Sequence, residues 1–167
     1  MLRVSVFILL LLPTMLFASE ADVRSQLEKS ITCQVNPLDT VREIAEKADN
    51  KYESGYIGLI FGDGMQYTAV VNVRSPIIIA GAKANTVVAS TIFFYESAPV
   101  LVHARFAGDF RKVVTALGLR SKQNGESFFK ATKVDLYGKP VSACPMTIEL
   151  QPLKNGEFVL GCGWCNG

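Results

Sequence analysis

The chain opens on Met1-Leu2-Arg3, a short basic start, and runs at once into an almost unbroken apolar stretch from Val4 to Phe17. Small residues follow at Ala18 and Ser19, and charge begins with Glu20 and Asp22. A basic start, an apolar run and a small-residue end are the three regions of a cleavable export signal. The run is shorter than the roughly 20 apolar residues of a membrane-spanning helix, and Pro13 interrupts it. Cleavage is expected after Ala18, with Ala21 as the alternative. No cysteine follows the apolar run, so a lipid anchor is not expected there. The expected product is a single periplasmic or secreted domain of residues 19–167, which is 167 less 18, or 149 residues. A chain of that size can bury about 68–70% of its unfolded surface.

Export decides how the cysteines are read. Cys33, Cys144, Cys162 and Cys165 all lie beyond the signal. An even count in an oxidising compartment points to two disulfides, for which three pairings exist. Met146 to Gln151 and Glu157 to Gly161 read as strands, and Lys154-Asn155-Gly156 between them is a hairpin signal. Pairing around that turn places Cys144 roughly opposite Cys165. Cys162 and Cys165 are three apart, so an extended strand points them to opposite faces, which disfavours a bond between them. The expected bonds are therefore Cys144–Cys165 and Cys33–Cys162. The run Cys162-Gly163-Trp164-Cys165 superficially resembles a thioredoxin-type redox motif. A reactive cysteine of that kind gains its acidity at a helix N-terminus, and only Asn166 and Gly167 follow here.

The rest of the chain reads as α+β: two N-terminal helices, an antiparallel β-sheet meander and one late inserted helix. Val23, Leu27 and Ile31 recur at four-residue spacing, giving a helix from Asp22 to Ile31. Asn36-Pro37 reads as a break, after which Asp39 caps a second helix with Val41, Ile44, Ala45 and Ala48 on its apolar stripe. From Tyr56 to Gly108 the residues are apolar, β-branched and aromatic, punctuated by turn signals at regular spacing. Strands are expected at Tyr56 to Phe61, Gln66 to Val73, Ile77 to Ala80, Thr86 to Tyr95 and Val100 to Phe106. Gly62-Asp63-Gly64 is read as a turn, and Gly81 to Asn85 as a looser one. Gly81, Lys83 and Asn85 argue against a membrane span within Pro76 to Phe94. Asp109 opens the third helix, with Phe110, Val113, Val114 and Leu117 facing a core and Gly118 stopping it. Ser127 to Leu136 is expected to be a further strand.

Known chemistries find little purchase. Basic and acidic residues number 17 and 15, so no basic excess points to nucleic acid. His103 is the only histidine, so any serine or cysteine triad must use it. Alternation places it beside Leu101 and Arg105 on the more polar face of its strand, where an ordinary surface histidine is expected. No nucleophile elbow is present. The glycines Gly55, Gly58, Gly62 and Gly64 lie in a strand and its turn rather than before a helix, so they are not a phosphate loop. Glu53, Glu96, Asp109, Asp135 and Glu149 form no recognisable acid pair, and Asp63 with Glu53 makes no calcium cluster. No metal or cofactor is expected, and the balance leans away from an enzyme.

Binding is the remaining class. The turn around Asp63 and Met65, with Tyr56 and Tyr67 beside it, has the tyrosine-rich character of interface loops. His103 and Arg105 are the other candidate binding residues, and the loop from Lys122 to Ser127 is a second surface. The leading expectation is a small exported protein that binds another protein, as an inhibitor or immunity protein of a cell-wall hydrolase or toxin does. The alternatives are a pocket for a lipid or other hydrophobic ligand under the Tyr56–Phe106 sheet, and redox chemistry at Cys162 and Cys165.

Overall fold

A computed structural model describes residues 19–48, 52–63, 66–91, 100–122, 126–135, 137–141 and 144–164. In chain order the elements are α1 (Glu20–Ile31), α2 (Pro37–Glu46), β1 (Tyr56–Asp63), β2 (Gln66–Ile79), β3 (Ala82–Ser90) and β4 (Val100–Ala107). Then come α3 (Phe110–Leu117), β5 (Arg120–Ser121), β6 (Phe128–Ala131), β7 (Met146–Pro152) and β8 (Glu157–Trp164). The strands form one antiparallel sheet in the order β1-β2-β3-β4-β8-β7-β6-β5. Two four-stranded meanders meet where β4 pairs with β8, and α3 carries the chain from the centre to the far edge. The α+β reading, with two helices first and one inserted late, describes this arrangement.

Local chemistry fixes the helix ends. The Ser19 hydroxyl accepts from the Asp22 N–H at 3.3 Å, and the Asp22 carboxylate accepts from the Ser19 N–H at 3.3 Å. This reciprocal cap starts α1 two residues before the expected Asp22. At α2 the cap is Asn36, not Asp39: the Asp39 N–H donates to Asn36 Oδ1 at 3.2 Å. Pro37 is therefore the first helical residue rather than a break, because its missing N–H would have no helical acceptor there. Asp109 caps α3, and Gly118 ends it in the left-handed region at φ 64°, with the Leu119 N–H reaching back to the Val114 carbonyl.

Two expected boundaries move. The strand expected to restart at Pro76 is continuous with its predecessor, and β2 absorbs the proline at a register shift between Asn72 and Ile77. β1 ends its pairing at Val73, so Pro76 lies where one side of β2 is an edge and its missing N–H is tolerated. Asn85 Nδ2 donates to the Val73 carbonyl at 3.0 Å and holds the bulge. The expected turn Gly81 to Asn85 tightens to Ala80-Gly81, both at positive φ, because Ile79 pairs directly with Ala82. Ser127 to Leu136 shortens to β6 plus a Val134–Pro140 bridge, and Leu136 lies outside the described residues.

One side of the sheet carries the helices. Tyr56, Ala69, Val71, Val87, Val102, Phe106, Leu150, Phe158 and Leu160 all turn to it and are buried with Val23, Leu27, Ile31 and Val41 from the helices. Gly58 lets α2 lie on β1: a Cβ there would stand 2.4 Å from the Ala45 carbonyl oxygen and 2.6 Å from Ala48 Cβ. Phe110 of α3 meets Phe128 at 5.8 Å between ring centres, which puts α3 on the same side.

Cys33 and Cys162 form a disulfide across a sequence separation of 129, with Cα atoms 5.3 Å apart. It ties the end of α1 to β8, as expected from the spacing. One disulfide is described where two were expected. Cys165, the expected partner of Cys144, lies outside the described residues, and Cys144 is not a free thiol. Among the described residues no helix is long and apolar enough to cross a membrane.

Candidate functional site

Strand alternation gives the sheet a second face, opposite the helices. Register carries Leu59 of β1 across to Val70, then Val88, His103, Gly161 and Glu149. The middle of this face is closed, for Leu101, Gly161 and Thr147 are buried. Its β1 end is open. Leu59 is 42% exposed and Phe61 57%, and Ile60 between them, on the helix side, is 37% exposed. Single exposed hydrophobics are ordinary; three in sequence on a sheet edge are not.

Polar groups lie along the rest of this face, from β2 to the far edge. Thr86 Oγ1 donates to Asn72 Oδ1 at 2.6 Å. Arg105 pairs with Glu157 across β4 and β8. Lys122 Nζ lies 3.2 Å from Glu149 Oε2, beside a recess of about 200 Å³ that Glu126 and Ser127 also line. The expected second surface is thus a shallow polar notch, with residues 123–125 outside the description.

The sequence-predicted binding residues scatter. Tyr56 and Tyr67 are a correction: each is 5% exposed and belongs to the core beneath the helices. The Tyr67 hydroxyl donates to the Leu38 carbonyl at 3.3 Å, and the Arg42 guanidinium stacks 4.8 Å from its ring centre. Burial, with Asp39 nearby, raises the Tyr67 pKa above its ordinary value. Asp63 ends β1 opposite Gln66, and Met65 lies outside the described residues. His103 is not an ordinary surface residue: it is half-buried between Val88 and Gly161, and burial lowers its pKa. Arg105 is exposed, as expected. His103 and Arg105 do share the open face with Leu59 and Phe61, to which the sequence reading gave no role beyond an expected strand. A strand of six uncharged residues looks buried on both sides unless its edge position is known.

No family model matches the chain, and no curated protein or solved structure matches it.

The other chemistries find their residues in structural roles. Asp109 caps α3, Asp135 accepts the Tyr137 and Lys139 N–H groups, and Glu149 faces Lys122. Among the described residues no group of three or more His, Cys, Asp or Glu could hold a metal. Cys162 is fully buried and bonded to Cys33, not to its neighbour in the C-x-x-C run. Between sheet and helices the space is filled by buried side chains. A recess of about 320 Å³ lies instead beside the disulfide, lined by Val35, Val134, Tyr137 and Met146.

Proposed function

We propose that this is an exported binding protein whose partner is another protein, acting as an inhibitor or immunity protein of a cell-wall hydrolase or toxin does. The observation that carries the reading is the open sheet face, where Leu59 and Phe61 stand exposed at one end with Arg105 further along. Exposed aromatics and arginines are the residue types enriched in interface hot spots. The signal-like N-terminus and the buried disulfide support an extracytoplasmic setting.

The test is capture of partners from envelope and secreted extracts of the producing organism, with an assay of cell-wall hydrolase inhibition on whatever is captured. Phe61→Ala combined with Arg105→Glu is expected to weaken capture at least about tenfold, since an aromatic hot spot contributes roughly 2 kcal/mol or more. Both side chains are exposed, so the variant should keep a wild-type circular dichroism spectrum, the loss of the Arg105–Glu157 surface pair costing about 1 kcal/mol. Equal capture by variant and wild type would rule this face out.

A further inference from the structure

The two edges of the sheet are built differently. One ends in β5, two residues long with Arg120 on it, the short charged form that discourages strand addition. The stretch of β2 beyond Val73 is also an edge, and it carries Arg74 and Pro76. β1 has neither device. It is eight residues long, has no charge from Tyr56 to Gly62, and exposes Leu59, Ile60 and Phe61.

Backbone direction along β1 can be read from its ends. The Gly55 carbonyl accepts from the Arg74 N–H at 2.9 Å, so it turns toward β2. At the other end, the Tyr67 N–H and carbonyl turn away toward Thr91, which makes Gly62–Tyr67 a pair without hydrogen bonds. Alternation then directs the backbone groups of Ile57, Leu59 and Phe61 at β2 and those of Gly58, Ile60 and Gly62 outward.

We propose that β1 is a homodimerisation edge, pairing antiparallel with β1 of a second copy about a two-fold axis through Leu59. An antiparallel pair of identical strands is self-complementary, as a two-fold interface requires. In this register Gly58 and Ile60 of one copy exchange backbone hydrogen bonds with Ile60 and Gly58 of the other, using the outward groups. On the open face Leu59 meets Leu59, and Ile57 meets Phe61 in both directions, so every apolar side chain finds another. On the helix side Ile60 faces Gly58, over which α2 lies, so Ile60 of one copy would pack beside Ala45 and Ala48 of the other. No like charges meet, because none lies between Tyr56 and Gly62. Moving the axis to Ile60 would set Ile57 against Asp63. The interface is one strand pair, below the roughly 1,200 Å² of a stable standard complex, so dissociation is expected on the order of 10–100 μM. The pairing uses the backbone edge and holds whatever the open face binds.

The experiment is sedimentation equilibrium of the oxidised protein from about 5 to 500 μM, with three variants. Wild type is expected to pass from monomer to dimer over that range. Ile60→Pro removes an outward N–H while leaving the β1–β2 ladder and the open face untouched; it should stay monomeric at every concentration with a wild-type circular dichroism spectrum. If that proline disturbs folding, Ile60→Lys takes its place, since two like charges flanking the axis should raise the dissociation constant at least tenfold. Leu59→Cys should give a covalent dimer on oxidation, because facing Cβ atoms in such a pair lie about 4.5–5.5 Å apart. Ile57→Cys, which faces Phe61, should not. A wild type that remains monomeric, equal cross-linking of the two cysteine variants, or an edge that takes only a strand from a different protein would each overturn the proposal.

Discussion

His103 stands half-buried on the open face, and desolvation lowers its pKa below the ordinary histidine value. Above pH of about 6.5 the ring is neutral in both folded and unfolded chains and contributes nothing to pH dependence. Below that, the unfolded chain takes the proton first, so stability falls as pH drops toward and through the lowered folded pKa. Urea midpoints measured between pH 7.5 and 5 should therefore decline, and His103→Gln should flatten the decline in its upper part. An unchanged slope in the variant would show that other groups carry it. Glu20 shows the opposite case: its carboxylate accepts the Ser75 N–H at 2.6 Å. That hydrogen bond, opposed by burial and helped by Arg24 and Arg74, holds its pKa below the usual range. The tyrosines mark where residue-level reading ends. Tyr56 and Tyr67 have the chemistry of an interface and the location of a core, and only strand parity separates the two.

At the level of elements, α2 lies close on β1 at Gly58. Gly58→Ala would press a methyl group into the Ala45 backbone at 2.4–2.5 Å. Overpacking against backbone, which cannot rotate away, is expected to cost about 1–3 kcal/mol. A denaturation midpoint within error of wild type would refute the clash. The start of α1 bears on processing. Ser19 supplies the reciprocal cap and Glu20 binds β2; a cut after Ala21 would remove both, and loss of such a cap alone costs about 1 kcal/mol. If export is as proposed, N-terminal sequencing of the processed protein should find Ser19 first; Asp22 would contradict it. The Asp109 and Gly118 caps of α3 and the Asn155-Gly156 turn, both residues at positive φ, were legible because their signals are local. The bulge that keeps β2 whole was not, since Pro76 looks like a terminator until an edge position excuses it.

For the whole molecule, the Cys33–Cys162 bond closes most of the chain into one loop. Chain-entropy reasoning assigns a loop of that length about 4–5 kcal/mol. Cys33→Ser with Cys162→Ser should lower unfolding free energy by about that amount in urea. A loss under about 1 kcal/mol would mean that the unfolded chain is already compact. The bond also explains why redox chemistry is disfavoured: its buried sulfur at Cys162 joins α1 to β8 rather than serving the C-x-x-C run.

The sequence by itself determined the class: helices where apolar residues recur at helical spacing, strands where β-branched and aromatic residues cluster, and a long-range bond from cysteine parity. These are short-range signals, carried by a few neighbours in the chain. The tertiary structure decided which face of each strand is buried, which strand lies at the edge and which cysteine faces which. β1 and β3 look alike as sequences, both apolar and uncharged over most of their length. β3 has a neighbour on each flank and β1 on one, and that difference makes Leu59-Ile60-Phe61 the surface on which this protein's function is proposed to rest.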